Sequence, residues 1–86
     1  MIRTKGGVLI VKWEYGYEAL SDFMLLLSEA FKKSVGLITY EVNSKILIIN
    51  NYDKACAKVR EGEYIVFDGN RIFGIGQDQF QTWSKK

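Results

Sequence analysis

The chain has 86 residues, of which 48% are hydrophobic and 14% aromatic, and its formal net charge is +2. This length indicates one domain over residues 1–86, and the apolar content excludes a disordered tail because enough surface can be buried to offset the entropy of ordering. The sequence contains no His, no Pro and one Cys. It therefore excludes Ser-His-Asp and Cys-His catalytic groups, an intramolecular disulfide and a four-ligand zinc site, and no cofactor is indicated.

The first predicted element is a β-strand over Val8–Trp13, which follows Gly6-Gly7 and precedes an aromatic turn. Its apolar run is too short for a signal peptide, and the longest apolar stretch elsewhere is far below the roughly 20 residues that span a bilayer. We therefore expect neither secretion nor membrane insertion. Together with the single Cys, this favours a cytoplasmic protein.

An amphipathic helix is predicted over about residues 18–33. Its apolar side chains recur at spacings of three and four, at Leu20, Phe23, Met24, Leu27 and Phe31. Acidic residues lead the segment and lysines close it, as the helix dipole favours, and Gly36 is expected to end the helix.

The rest of the chain is predicted to be mainly antiparallel β-structure. A hairpin is expected over residues 37–50 with its turn at Asn43-Ser44, and a further strand near residues 55–60. A second hairpin is expected from residues 64–67 and 71–75, with Asp68 opposite Arg71. Residues 77–84 are expected to form a short C-terminal helical turn.

Both faces of this sheet are predicted to be apolar, with Phe67 and Ile72 on one face and Val66 and Phe73 on the other. One helix cannot cover both faces of a flat sheet. We therefore predict an α+β fold in which the helix packs on a curled sheet or small half-barrel of about five to six strands. The alternative is that an apolar face remains for a partner chain.

The aromatic group Trp13, Tyr15 and Tyr17 is the first candidate partner-binding site. Alternate residues of a strand point the same way, and aromatic side chains dominate binding hot spots. The simpler interpretation, which we favour, is that Trp13 packs on the helix while the two tyrosines flank the connection to it.

A second candidate is a basic stripe formed by Lys54, Lys58 and Arg60, which alternate along one predicted strand. Such a stripe suits phosphates or an acidic protein. We favour an ordinary solvated face, because Glu61 follows at once and the local charge is modest. Cys56 within this stripe is expected to be inert, since the chain offers neither a general base nor a resolving Cys.

The C-terminal third resembles small, mostly uncharacterised phage and prophage proteins whose chains end in V-x-x-G-D-Y-I-V … G … x-P-D-x-F-x-x-x-Y. The matching residues are Val59-Arg60-Glu61-Gly62-Glu63-Tyr64-Ile65-Val66, Gly69, Gln77-Asp78-Gln79-Phe80 and Trp83. The chain departs from the pattern at Glu63, Gln77 and Trp83, where Asp, Pro and Tyr are usual. The resemblance implies a phage origin and the order strand, helix, several strands, and it supplies no catalytic residues.

The matching residues also have a structural meaning: Gly62 permits a turn that needs a positive φ, and Phe80 with Trp83 is expected to fold back over strand 64–67.

We expect a small phage or prophage accessory protein, not an enzyme, that binds a host or phage protein such as a defence or replication factor in the bacterial cytosol. One alternative is a nucleic-acid-binding β-domain that uses Lys54, Lys58 and Arg60. The other is a homo-oligomeric structural protein, a homodimer for example, whose second apolar sheet face is the subunit contact.

Overall fold

The computed structural model describes residues 1–33, 38–51 and 54–86, and for residues 51 and 54–56 it describes the backbone only. The predicted helix stop at Gly36 lies outside these residues. The elements in chain order are β1 (Ile2–Arg3), β2 (Leu9–Lys12), α1 (Tyr17–Lys32), β3 (Ile38–Asn43), β4 (Ile46–Asn51), β5 (Lys54–Val59), β6 (Tyr64–Phe67), β7 (Ile72–Ile75) and α2 (Gln77–Trp83).

The strands form two antiparallel sheets. Sheet A has the order β1-β2-β6-β7, and sheet B has the order β3-β4-β5. This arrangement confirms the predicted α+β class with a helix packed on antiparallel sheet. No closed barrel forms among the residues described. In the same ranges, no helix is long and apolar enough to cross a membrane.

The two sheets approach each other where β5 passes β7. A Cβ atom at Gly74 would lie 2.9 Å from Cγ2 of Val59 and 3.6 Å from the carbonyl oxygen of Lys58. Gly74 faces the same side of sheet A as the buried Ile72 and pairs with Ile65 across the sheet. The missing side chain at this position therefore lets β5 pack closely against sheet A.

The main core lies between α1 and the inner faces of both sheets. The helix buries one side against β2 and β6, and its innermost residues are Phe23, Leu26 and Ala30. They form one core cluster with buried side chains of β2, β4, β5 and β6, among them Leu9, Val11, Leu47, Ile49, Val59, Ile65 and Phe67. The spacing of the buried helix residues is the three-and-four periodicity that predicts α1 from the sequence.

Helix α2 covers the outer face of sheet A. The Phe80 ring stacks on that of Tyr64, with centroids 4.2 Å apart, and the Trp83 ring meets Phe73 edge-on at 5.1 Å. Beneath them lie Val8, Ile10, Val66 and Ile75, which are buried. The prediction that Phe80 and Trp83 fold back over strand 64–67 is confirmed. The face that the sequence offers to a partner chain is thus occupied by this chain's own helix.

The two hairpins differ in how well the sequence predicts them. Asp68 lies opposite Arg71 as predicted: its carboxylate accepts the N–H of Asn70 at 2.9 Å and lies 3.8 Å from the Arg71 Nε atom. The turn of the β3–β4 hairpin is Ser44-Lys45, whereas the prediction was Asn43-Ser44. Ser44 and Lys45 both have positive φ, 52° and 67°, as a two-residue type I′ turn requires.

We expect Gly74→Ala to destabilise the protein by about 1–3 kcal/mol, because the added methyl group overpacks the contact with Val59. Lys58→Ala is the control, since Lys58 is the neighbour of Val59 in β5 but its side chain is exposed. Its effect should stay within about 0.5 kcal/mol. Urea unfolding of both variants measures the difference, and equal midpoints would contradict the close approach of β5 and β7.

Phe80→Ala should lower the free energy of unfolding by about 2 kcal/mol, because it removes the half-buried ring that stacks on Tyr64. Gln81→Ala, at an exposed position of the same helix, is the control and should change little. Thermal unfolding followed by circular dichroism compares them. If the two variants melt together, α2 does not hold the outer face of sheet A.

Candidate functional site

Trp13 joins the two sheets at the start of the connection between β2 and α1. Its side chain is 1% exposed, and its indole N–H donates to the carbonyl oxygen of Lys45, 2.9 Å away, in the β3–β4 turn. Its own N–H donates to Glu63 at 2.8 Å, and its carbonyl accepts from Gly62 at 2.9 Å. One residue is thus bonded to a turn of sheet B and to the loop before β6, which makes this end of the fold rigid.

The three aromatic candidates occupy different environments. Trp13 is buried, whereas Tyr15 is 61% and Tyr17 is 90% exposed. They do not alternate along one strand, because β2 ends at Lys12 and Tyr17 already belongs to α1. As in the interpretation that we favour from the sequence, Trp13 packs in the core with residues of α1 while the two tyrosines flank the connection. The structure nevertheless brings all three to one place in space.

These residues line a cleft that we call the aromatic cleft, formed by Trp13, Tyr15, Tyr17, Leu20 and Val42, with Gly16. Its volume is about 290 Å³ and its lining is mainly apolar. The cleft lies between the first turn of α1 and the last residues of β3. Val42 is a member that the sequence analysis misses, because only the tertiary structure places β3 beside the aromatic turn.

The basic stripe is only partly described. Lys58 is exposed on the outer face of sheet B, where it pairs with Ile48, which in turn pairs with Glu41 of β3. Arg60 lies one residue beyond β5, and its N–H donates to the Glu63 carboxylate at 2.7 Å. The side chain of Lys54, like that of Cys56, lies outside the described part of the chain. The structure therefore places Lys58 among apolar and acidic neighbours.

A second exposed apolar region runs along the junction of α1 and β3. Tyr40 lies edge-on to Phe23 with ring centroids 5.2 Å apart, and its hydroxyl donates to the Met24 sulfur at 3.7 Å. Met24, Phe31 and Tyr40 all remain at least a third exposed. Met24 and Phe31 belong to the predicted apolar stripe of α1, but that stripe is wider than the strip of sheet that the helix covers.

Among the residues that the structure describes, every buried side chain is hydrophobic, and no three His, Cys, Asp or Glu residues lie close enough to hold a metal ion. What the described surface offers is apolar and aromatic contact area on well-anchored elements.

Comparisons with family models, with curated proteins and with solved structures found no match to this chain. The resemblance to phage and prophage proteins therefore stays a prediction.

Proposed function

We propose that this chain is a non-catalytic protein-binding module, a small phage or prophage accessory protein that acts on a host or phage protein in the bacterial cytosol. The observation that carries the proposal is the aromatic cleft. Two tyrosines are largely exposed around an apolar depression whose floor is the immobilised Trp13.

Such a surface suits protein recognition for two physical reasons. Tyrosine offers a large amphipathic contact area and loses little conformational entropy on binding, because it has only two side-chain torsions. The hydrogen bonds of Trp13 fix the floor before a partner arrives, so less ordering is needed on association. Both properties are typical of hot-spot residues in protein interfaces.

The size and charge of the cleft narrow the kind of partner. At about 290 Å³ it lies at the lower limit of small-molecule pockets, so it suits an apolar side chain of another protein. Of the exposed acidic residues next to the two tyrosines in sequence, Glu14 pairs with Lys12 at 3.3 Å, whereas Glu18 has no ion pair within the described ranges. Glu18 therefore favours a partner that carries positive charge beside its apolar anchor.

The nucleic-acid alternative receives no comparable support. The exposed carboxylate of Glu18 follows Tyr17 and repels phosphates, and Lys58 lies on the opposite face of sheet B from Val42. The aromatic cleft and Lys58 are therefore separated, whereas a single-strand binding groove combines aromatic and basic groups.

Affinity purification of the tagged chain from infected or lysogenic bacteria tests the proposal. The double variant Tyr15→Ser/Tyr17→Ser should lose the specific partner that the wild type recovers, with at least a tenfold drop in affinity for the isolated partner, since hot-spot losses exceed about 1.4 kcal/mol. Leu25→Ser is the matched control, because Leu25 is 55% exposed on α1 yet does not line the cleft.

Two results would contradict this function. One is the absence of any specific partner for the wild type. The other is recovery of the same partner by the tyrosine variant and the control with equal affinity. Circular dichroism of the variants confirms that the fold is retained, as expected for changes at exposed positions.

A further inference from the structure

The free edge of β3 is a regular, unprotected sheet edge. Among the described residues β3 pairs only with β4, and its six pairs run from Ile38–Asn51 to Asn43–Ile46 without a bulge. Proteins usually guard such edges with lysine, proline, a bulge or a short strand. The strand contains none of these, and its one charged residue, Glu41, points to the outer face of sheet B.

The register shows which main-chain groups are free. In a two-residue hairpin the residues that flank the turn, here Asn43 and Ile46, exchange hydrogen bonds, and the pattern alternates along the strand. The N–H and C=O groups of Ile38, Tyr40 and Val42 therefore point away from β4, to the free edge. The same three residues carry the apolar side chains of the inner face.

Exposed apolar side chains continue from this edge onto α1. Phe31 is 51% exposed, and Met24, Tyr40 and Val42 are exposed to between 36% and 41%. Met24, Phe31 and Tyr40 border a groove between α1 and β3 that Leu27 and Ile38 also line. One added strand satisfies the free edge, but covering Met24 and Phe31 on the helix requires a second layer above that strand.

We propose that the occupant of this edge is a second copy of the chain, with the two β3 strands paired antiparallel about Tyr40. A two-fold axis perpendicular to the sheet leaves the inner faces of the two copies of sheet B on the same side of the joined sheet. Each copy therefore contributes β3 to the joined sheet and α1 to the layer above it. Tyr40 then pairs with Tyr40 of the second copy, and Ile38 pairs with Val42 of the second copy. These are the residues with free N–H and C=O groups.

The helix ends support the two-fold arrangement. Helix α1 runs antiparallel to β3, with Tyr17 and Leu20 of its first turn near Val42 and Lys32 of its last turn near Ile38. The two-fold axis therefore sets the two helices antiparallel, with the C-terminal end of each beside the first turn of the other, and it keeps the two exposed Lys32 side chains apart. The opposite partial charges of the neighbouring helix ends attract each other.

The other registers are less favourable. An axis through Glu41 sets two carboxylates directly opposite each other, which destabilises a sheet. Parallel pairing of the two strands brings the Lys32 ends of the helices together. Only the axis through Tyr40 pairs the free main-chain groups of all three inner residues and places Thr39 opposite Glu41 of the second copy.

Two substitutions at one exposed position test this register. Thr39 faces Asn50 within the chain, so a charge at residue 39 meets no partner on β4. In the dimer, Thr39→Lys creates two opposite-charge pairs with Glu41, and Thr39→Glu creates two like-charge pairs. Cross-strand pairs of this kind should lower the dimer dissociation constant about tenfold for Thr39→Lys and raise it about tenfold for Thr39→Glu.

The measurement is sedimentation equilibrium of the full chain over a concentration series. A third variant, Val42→Pro, removes a donor on the free edge while leaving the bonds to β4, and it should give a folded monomer. The proposal is overturned if the wild type stays monomeric to about 1 mM. That includes the case in which the edge of β3 pairs with a segment of another protein and not with a second copy. A dimer that responds equally to the Lys and Glu substitutions also overturns it. Thr39→Lys and Thr39→Glu leave every residue that lines the aromatic cleft unchanged, so their outcome is independent of the proposed function.

Discussion

Sheet A carries apolar side chains on both faces, and this constraint determines the rest of the structure. In β6 the inner side chains Ile65 and Phe67 alternate with Tyr64 and Val66, which face outward. A strand that is apolar on both sides needs a covering layer on each. Helix α1 supplies the inner layer and α2 the outer one. The seven residues of α2 thus complete a three-layer unit that a single long helix could not form.

The same constraint explains where the exposed apolar surface lies. Helix α1 is about 24 Å long at 1.5 Å per residue, and it faces two sheets at once. It packs on β2 and β6, and it reaches the edge of sheet B through the contacts of Tyr40 with Phe23 and Met24. Because the helix lies mainly over sheet A, the junction with β3 remains partly open. The aromatic cleft and the free edge of β3 both lie along this junction, so the two proposals concern one side of the molecule.

Much of this fold could be predicted from the sequence because its signals are local. The periodicity over 18–33 places α1 within one residue of its observed bounds, and the β6–β7 hairpin has the predicted faces. The turn error at Ser44-Lys45 moves the β3–β4 pairing by two residues, so the side chains keep their faces. Strand β1 is missed because two residues are too few for a pattern.

The candidate site was harder to predict, because its members meet only in the tertiary structure. Spacing suggests that Trp13 and Tyr17 share one strand face, yet the chain leaves β2 at Lys12 and the tryptophan turns inward to bind the Lys45 carbonyl. Periodicity places Phe31 in the apolar stripe of α1, but it cannot show that this end of the stripe remains uncovered. The free edge of β3 likewise depends on strand order, and strand order is set by contacts distant in sequence.

Amide hydrogen exchange, resolved by residue and measured at low and high protein concentration, tests the central claim that this chain covers both faces of sheet A and leaves β3 open. The account predicts that the amides of β6 are protected at every concentration. In β3, Thr39 and Glu41 should be protected through β4 at every concentration, whereas Ile38, Tyr40 and Val42 should exchange in dilute solution and become protected as concentration rises. Protection of β6 that depends on concentration, or uniform protection along β3 in dilute solution, would contradict it.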